Sequence, residues 1–235
     1  VFICMSLNNN FNIRRLERYL SVAYDSGAVP VVVLTKSDLC SDVECKILAV
    51  QNAALGVDVL AISSLDEDYE AVMPYILPGK TVAFIGSSGV GKSTLINKLT
   101  GTDSIATREI GNDDKGRHTT THRELIQLPN SAFVIDTPGM RELGMWDSGD
   151  GIDTAFADIE ELSRMCRYAD CTHTSEPGCA VLRALADGTL DAARLASYRK
   201  LKTENDYAAD NSRYLATKRT KFKEIAKINK MNRKR

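Results

Sequence analysis

A glycine-rich stretch at residues 86–93 carries the most specific chemistry in the sequence. It reads Gly-Ser-Ser-Gly-Val-Gly-Lys-Ser and fits the phosphate-loop pattern G-x-x-x-x-G-K-[ST] without a mismatch. Glycines let backbone N–H groups turn toward phosphate oxygens, and the start of the following helix adds positive potential. The lysine suits the β- and γ-phosphates, and the last serine suits Mg²⁺. The predicted phosphate-binding residues are Gly86, Ser87, Ser88, Gly89, Val90, Gly91, Lys92, Ser93 and Thr94.

A second motif indicates which base the site takes. It consists of Thr35, Lys36, Ser37 and Asp38, and it matches the pattern [NT]-K-x-D. The carboxylate of Asp38 can accept two hydrogen bonds from the ring N–H and the amine of guanine. Adenine has no such pair of donors, so a buried carboxylate would stay unpaired beside it. Ser63 and Ser64 follow the next apolar run and resemble a loop that supports guanine. Alone this motif would be a common surface turn, but beside a phosphate loop it predicts a guanine nucleotide.

Two further segments predict a magnesium site. Residues 136–139 read Asp-Thr-Pro-Gly and match D-x-x-G, so we expect Asp136 to hold Mg²⁺ through water and the Gly139 N–H to meet the γ-phosphate. Three threonines at residues 119–121 lie between this motif and the phosphate loop. One of them is expected to complete the site, and Thr120 is the residue we select. The predicted magnesium ligands are therefore Ser93, Thr120 and Asp136.

The residue after D-x-x-G bears on how fast a nucleotide would be hydrolysed. Met140 stands where Ras-like enzymes usually place a glutamine that orients the attacking water. A methionine cannot orient water, so turnover is expected to be slow or to use another residue. His118 is the candidate, because an imidazole titrates near neutral pH; an exposed loop histidine is the alternative. With Lys92 and Thr120 it forms the predicted catalytic set.

Three cysteines and a histidine cluster in fourteen residues near the C-terminus. They are Cys166, Cys171, His173 and Cys179. Three thiolates and one imidazole satisfy a tetrahedral structural Zn²⁺ site and leave no open position for catalysis. The alternatives are a disulfide and unrelated buried thiols. The other three cysteines, Cys4, Cys40 and Cys45, are expected to be ordinary core or surface residues.

The order of the motifs along the chain indicates a circular permutation. The guanine motif precedes the phosphate loop, whereas in Ras-like proteins it follows it. A nucleotide site depends on where residues lie in space and not on chain order, so the same sheet can be built from a chain cut elsewhere. The predicted fold class is α/β: a circularly permuted P-loop GTPase domain at residues 1–148, followed by a small, mainly helical zinc-binding domain at 149–235.

Hydrophobic periodicity predicts the elements that position these motifs. We expect strands at Phe2–Leu7, Val31–Leu34, Val57–Ile62 and Val82–Ile85, and a strand pair at Leu125–Leu128 and Phe133–Ile135. We expect helices at Asn12–Asp25, Asp42–Leu55, Ser93–Thr100, Leu190–Tyr207 and Tyr214–Lys230, and a helical face formed by Ala155, Ile159, Leu162 and Cys166. Strands that alternate with helices favour a parallel sheet.

Composition places the chain among globular proteins and reveals an uneven charge. Of the 235 residues, 43% are hydrophobic and 26% are charged, which excludes global disorder. The net charge is -1, yet residues 213–235 hold ten Lys or Arg and one acid, Glu224. Such a basic tail is typical of a nucleic-acid partner, and the alternative is a solubilising helix end. No apolar run suits a membrane span, and no signal peptide is recognised. We expect a cytoplasmic monomer, and a first residue other than Met suggests a fragment.

The combined motifs closely resemble the RsgA (YjeQ) family of ribosome small subunit-dependent GTPases. The resemblance rests on the permuted guanine motifs, residues 86–93, the run Gly-Arg-His-Thr-Thr-Thr-His-Arg-Glu at 116–124, D-x-x-G and the Cys/His cluster, and it covers essentially the whole chain. It implies Mg²⁺-dependent hydrolysis of GTP to GDP and phosphate, stimulated by the small ribosomal subunit during its late assembly. Its partners would be that subunit and its rRNA, and its catalytic histidine corresponds to His118.

One departure from the family and three alternatives accompany this interpretation. Family members usually carry an N-terminal OB-fold that binds rRNA, and this sequence starts inside the GTPase domain. The main alternative is a GTP-sensing, rRNA-binding switch with negligible turnover, consistent with Met140. A permuted GTPase acting on the large subunit is disfavoured by the zinc cluster and by residues 116–121. A generic P-loop ATPase is disfavoured by Asp38.

Overall fold

The described residues form one six-stranded sheet, in which the phosphate loop, the guanine motif and Asp136 follow strands at the same edge. The computed structural model describes residues 1–63, 67–101, 124–136 and 149–210. The strands are β1 (Phe2–Ser6), β2 (Val31–Thr35), β3 (Asp58–Ala61), β4 (Thr81–Ile85), β5 (Glu124–Gln127) and β6 (Phe133–Asp136). Their order is β3-β2-β1-β4-β6-β5, with β5 antiparallel to β6 and all other pairs parallel. The five parallel strands therefore direct their carboxyl ends toward one edge.

Chain order reverses direction in the sheet between β1 and β4. From β1 the chain adds β2 and β3 on one side, and it then returns to place β4 on the other side of β1. In open parallel sheets such a reversal leaves a crevice at the carboxyl ends of the two central strands, and ligands bind there. The loop at residues 86–91 follows β4 directly at this position.

Helices cover both faces of the sheet. They are α1 (Ile13–Asp25), α2 (Val43–Ala53), α3 (Lys92–Thr100), α4 (Gly149–Ala155), α5 (Ala157–Arg164), α6 (Ala180–Ala186) and a further helix, α7, over residues 192–210. Short 3-10 helices cover Ser37–Leu39 and Glu67–Tyr75. Asn12 caps α1, because its side chain accepts a hydrogen bond from the Arg15 N–H at 3.0 Å.

Alternation along the strands divides the core into two clusters. Ile3 and Met5 of β1 join one cluster with α1 and the C-terminal helices, whereas Phe2 and Cys4 join the other with α3. This is the two-residue period expected of a strand that is buried on both faces. The ring of Phe2 stacks on Phe84 with centroids 4.8 Å apart. The first cluster contains residues from both sides of position 148.

The C-terminal helices lie against α1 at very short range. A Cβ on Gly151 of α4 would lie 2.1 Å from the carbonyl oxygen of Ser21 on α1, so only glycine allows this approach. Arg194 of α7 reaches into the same junction and is 7% exposed. The predicted domain boundary at 148/149 stays a prediction.

The predicted elements agree with the described ones to within one or two residues at most ends. The Asn12–Asp25 helix, the four parallel strands and the antiparallel pair are confirmed. Of the predicted helical face, Ala155 ends α4, Ile159 and Leu162 lie in α5 after a break at Phe156, and Cys166 lies beyond the end of α5. The α6 helix and the Glu67–Tyr75 helix were not predicted. The predicted Tyr214–Lys230 helix lies outside the described residues. Among the described helices, none has the length and apolar character of a membrane span.

Candidate functional site

The phosphate loop is held by its own lysine and by a close backbone contact. The Nζ of Lys92 donates to the carbonyl oxygens of Gly86 at 2.8 Å and Ser87 at 2.9 Å, and Lys92 is 6% exposed. Gly86 has a φ of 148°, and a Cβ there would lie 2.3 Å from the Cys4 carbonyl oxygen. Gly91, with a φ of 94°, begins α3. The loop therefore leads directly into the N-terminus of α3, where free backbone N–H groups can bind an anion.

The guanine motif contacts this loop directly. The hydroxyl of Thr35 at the end of β2 donates to the Val90 carbonyl oxygen at 2.5 Å, 55 positions away in sequence. Lys36 has a positive φ of 59°, so the chain turns sharply after the strand. The structure thus brings together two motifs that the sequence identified separately.

The predicted support loop for the base also lies beside the guanine motif. The Ser63 hydroxyl donates to Oδ1 of the exposed Asp38 at 3.0 Å, and Ser63 itself is buried. This bond orients the carboxylate and leaves its other oxygen able to accept from a ligand. Asp38 and Ser63 therefore lie side by side, and their predicted roles toward guanine stay predictions.

Two residues that the sequence did not indicate touch the phosphate loop. Asn10 follows β1 and Arg15 lies in the first turn of α1, and each donates to the Ser87 hydroxyl at 3.1 Å. The contacts join positions 77 and 72 residues apart, which no local pattern reveals. The run of asparagines at residues 8–10 was the only trace of this arrangement in the sequence.

Of the five remaining residues predicted to bind or hydrolyse the nucleotide, the structure describes only Asp136. Asp136 ends β6 at the correct edge of the sheet. Ser64, His118, Thr120 and Gly139 lie outside the described residues. Their predicted roles stay predictions.

The four residues of the Cys/His cluster converge in space. One donor atom from each of Cys166, Cys171, His173 and Cys179 lies within 4.8 Å of all the others. The Sγ atoms of Cys166 and Cys179 are 3.8 Å apart, and the His173 Nδ1 lies 3.6 Å and 3.5 Å from them. Tetrahedral coordination with Zn–S near ~2.3 Å and Zn–N near ~2.0 Å implies ligand separations of about 3.5–3.8 Å. The donor set therefore fits a structural zinc ion.

Neighbouring groups prepare the histidine for metal binding. Nε2 of His173 lies 2.9 Å from the Ser163 hydroxyl, which donates its own proton to the Ile159 carbonyl oxygen at 2.9 Å. Nε2 must then carry the ring proton, which leaves the Nδ1 lone pair for a metal. Burial lowers the pKa of His173 and so favours its neutral form. The Arg199 guanidinium holds the His173 carbonyl oxygen.

Two of the three sulfur atoms in the cluster accept hydrogen bonds from the backbone of α6. The N–H of Ala180 donates to the Cys166 sulfur and the N–H of Leu182 to the Cys179 sulfur, both at 3.4 Å. Burial raises the pKa of the Cys166 thiol, but hydrogen bonds from the backbone of residues 180 and 181 and from the Cys179 and Cys171 side chains together outweigh it and hold that pKa below its ordinary value. Burial raises the pKa of Cys4 to about 12, consistent with a core residue.

The fold and the site together define a class of protein. A phosphate loop follows the central strand of a parallel sheet, and the guanine motif comes before it in the chain but beside it in space. This is the arrangement of a circularly permuted P-loop GTPase fold followed by helices that carry a Cys/His cluster. Comparison with known proteins makes the assignment more precise.

The RsgA GTPase family matches residues 1–146, and the chain belongs to that family. It is 54% identical over 233 residues to the small ribosomal subunit biogenesis GTPase RsgA 2 of Lactiplantibacillus plantarum, covering 98% of this chain and 63% of that protein. It is 49% identical over 229 residues to RsgA 1 of Listeria innocua, covering 96% and 66%. The chain thus spans about two thirds of the length of the curated relatives it matches.

Solved structures agree with this assignment. The crystal structure of YloQ, described as a circularly permuted GTPase, matches with a TM-score of 0.63 and 29% identity, covering 87% of this chain and 67% of that one. YjeQ from Thermotoga maritima matches with a TM-score of 0.64 and 23% identity, covering 87% and 70%, and supports the fold.

Proposed function

We propose that the chain binds GTP and hydrolyses it to GDP and phosphate as part of a factor that matures the small ribosomal subunit. The observation that carries the proposal is the Thr35–Val90 contact, which places a guanine-reading motif against a phosphate loop in a member of the RsgA GTPase family. The relatives' names as small ribosomal subunit biogenesis GTPases supply the proposed biological setting.

The predicted residues of the site have proposed roles in binding the nucleotide and Mg²⁺. Asp38 reads the guanine edge, and the aliphatic part of Lys36 lies over the base. The backbone N–H groups of residues 86–91 and the Nζ of Lys92 hold the phosphates. Ser93, Asp136 and Thr120 would hold Mg²⁺, which, when bound, neutralises charge on the β- and γ-phosphates.

Hydrolysis requires a water molecule to attack the γ-phosphorus while the bond to the bridging β–γ oxygen breaks. We assign the positioning of that water to His118 and the contact with the γ-phosphate to the Gly139 N–H. Lys92 would stabilise the charge that moves onto the β-phosphate. Met140 explains why the unstimulated rate is expected to be slow.

The Cys/His cluster is proposed to hold one structural zinc ion. Cys166, Cys171, His173 and Cys179 would be its ligands, and the fit of their separations to tetrahedral coordination supports this assignment. A bound ion would stabilise the short helices α5 and α6, which have little core of their own. The proposed organisation is a GTPase domain at residues 1–148 and a zinc-binding domain at 149–235.

The proposed partners are the small ribosomal subunit and its rRNA, and the protein is proposed to act as a cytoplasmic monomer. The basic residues of segment 213–235 support a contact with rRNA. Binding should weaken as salt increases and when Lys218, Arg219, Lys221 and Lys223 are neutralised together. Unchanged binding after these substitutions would contradict a role for the segment.

The decisive experiment measures GTP hydrolysis by this chain alone and with purified small ribosomal subunits. We expect the chain alone to hydrolyse GTP slowly and small subunits to stimulate that rate strongly. Large subunits should not stimulate it, and ATP should not be hydrolysed. His118→Ala should lose the stimulated GTP hydrolysis. GTP binding without turnover under every condition would instead support a GTP-sensing, rRNA-binding switch. That alternative is favoured by one observation, the methionine at position 140.

A further inference from the structure

We propose that Arg15 is a positioning residue of the nucleotide site, which fixes Ser87 of the phosphate loop and adds positive charge behind it. This inference rests on the proposed function, because it assumes that the loop binds a nucleotide. The contacts are specific: Nη1 of Arg15 donates to the Ser87 hydroxyl at 3.1 Å and to Oδ1 of Asn10 at 2.6 Å, and Nδ2 of Asn10 donates to the same hydroxyl at 3.1 Å.

The triangle of Asn10, Arg15 and Ser87 is itself held in place by its neighbours. Oδ1 of Asn8 accepts from the Asn10 N–H at 3.1 Å and from the Ser6 hydroxyl at 2.8 Å, which fixes the chain after β1. The Asn12 cap fixes the first turn of α1, from which Arg15 extends. Both supports lie within a few residues of Asn10 and Arg15, and they fix the backbone from which these two side chains reach Ser87.

Ser87 is constrained from two directions by this arrangement. Its hydroxyl receives two donors from β1 and α1, while its carbonyl oxygen receives the Nζ of Lys92 at 2.9 Å. Ser87 is only 8% exposed, so these contacts are shielded from water. A loop that already has its bound conformation loses less entropy when it takes up a nucleotide.

Arg15 differs from the neighbouring arginines of α1 in the groups that its guanidinium contacts. Arg14 pairs with Glu17 at 2.6 Å and Arg18 pairs with Glu204 at 2.6 Å. Within the portion of the chain that the structure describes, Arg15 forms no such pair with a carboxylate, and its acceptors are neutral oxygens. Its positive charge is therefore uncompensated there and can stabilise an anionic ligand on the loop.

The test compares the affinity for GDP and the rate of GDP release among matched variants of the full chain. We expect Arg15→Ala to weaken GDP binding about 10-fold, mainly through faster release. Arg15→Lys keeps the charge and should recover part of the loss, whereas Arg15→Gln should not. Arg14→Ala removes an arginine one position away that does not touch the loop, and it should change the affinity less than about twofold.

A double-mutant cycle separates positioning from a general loss of stability. If Arg15 acts through Ser87, the effects of Arg15→Ala and Ser87→Ala should not multiply, and the double variant should resemble Arg15→Ala alone. The free energy of unfolding without nucleotide is measured for each variant, and Arg15→Gln replaces Arg15→Ala in the cycle if that protein does not fold. GDP affinity within twofold of wild type in Arg15→Ala, or fully multiplicative effects, would overturn the inference alone. Failure of the wild-type chain to bind GDP would overturn the proposed function as well.

Discussion

At the scale of single residues, we expect base selection to depend on one carboxylate, that of Asp38. Asp38 accepts the Ser63 hydroxyl on Oδ1. We predict that Asp38→Asn weakens GTP binding about 100-fold, because an amide nitrogen cannot accept from the guanine amine. The same nitrogen can donate to the carbonyl that xanthine has at that position, so affinity for XTP should rise. Competition with a fluorescent nucleotide measures both effects, and Asp68→Asn, the same change at an exposed residue outside the motif, is the control.

A second residue-scale prediction concerns the glycine that begins the phosphate loop. In Gly86→Ala the new Cβ meets the Cys4 carbonyl oxygen at 2.3 Å, and φ is 148°. We expect a loss of about 3 kcal/mol in the free energy of unfolding. Gly79 also has a positive φ, of 72°, but nothing within 4 Å, so Gly79→Ala should cost only about 1 kcal/mol. Urea denaturation of both variants measures the difference, and equal losses would contradict the proposed clash.

Residues within one motif were predictable because each motif is continuous in sequence. The phosphate loop and the guanine motif follow known sequence patterns, and the four cluster residues lie within fourteen positions of one another. Asn10 and Arg15 were not predictable, since they reach Ser87 across more than 70 positions and only the sheet brings them together. The hydrogen bond that His173 Nε2 donates to the Ser163 hydroxyl was not predicted either, because a lone serine in a helix carries no signal.

At the scale of elements, α1 connects the N-terminal part of the molecule (residues 1–148), which carries the predicted nucleotide site, to the C-terminal helices. Its Glu17 is fully buried and its Oε1 accepts from Arg194 of α7 at 3.1 Å. Arg194 also pairs with Asp158 of α5 at 2.7 Å and donates to two backbone carbonyls, those of Ala53 and Ala155. A single arginine thus connects four helices or helix ends.

This network makes a prediction about stability. Arg194→Met leaves the Glu17 carboxylate buried with less compensation and should lower the free energy of unfolding by about 3–5 kcal/mol. The double variant Arg194→Met with Glu17→Leu should regain much of that loss, because no charge is then buried there. Arg18→Met removes a half-exposed pair between the same two helices and should cost less than about 1 kcal/mol. Chemical denaturation of the three proteins checks the order, which would be contradicted if Arg18→Met were the most damaging.

Helices and strands were predictable where hydrophobic residues recur with a regular spacing, or form a continuous apolar run, over a whole segment. The strands and α1 satisfy this condition, and the structure confirms them. The α6 helix has only seven residues, and its N-cap is Cys179, whose sulfur accepts from the Leu182 N–H. Cysteine is not among the residues that usually signal an N-cap, so the sequence did not indicate where this helix begins. The order of strands in the sheet also required the structure, although the alternation of strands and helices predicted its parallel character.

At the scale of the whole molecule, one apolar cluster crosses the predicted domain boundary. It contains Ile3 and Leu16 from the nucleotide half together with Ile152, Phe156 and Leu195 from the C-terminal helices. The Phe156 and Tyr198 rings meet within the C-terminal part at a centroid distance of 5.5 Å. Elements that share a core and a buried ion-pair network are expected to unfold together.

Zinc and nucleotide should therefore stabilise the same unfolding transition, although their sites lie in different halves of the chain. We predict one calorimetric transition, whose midpoint rises with GDP and falls by at least several degrees when zinc is removed with a selective chelator. Cys171→Ser should reproduce the chelated behaviour, and Cys45→Ser, an exposed cysteine outside the cluster, should not. The nucleotide contribution should persist in Cys171→Ser, because the hydrogen bonds that reach the phosphate loop from other described elements come from Asn10, Arg15 and Thr35 and not from the cluster. Two separate transitions, with chelation moving one and GDP the other, would show that the shared core does not couple the halves.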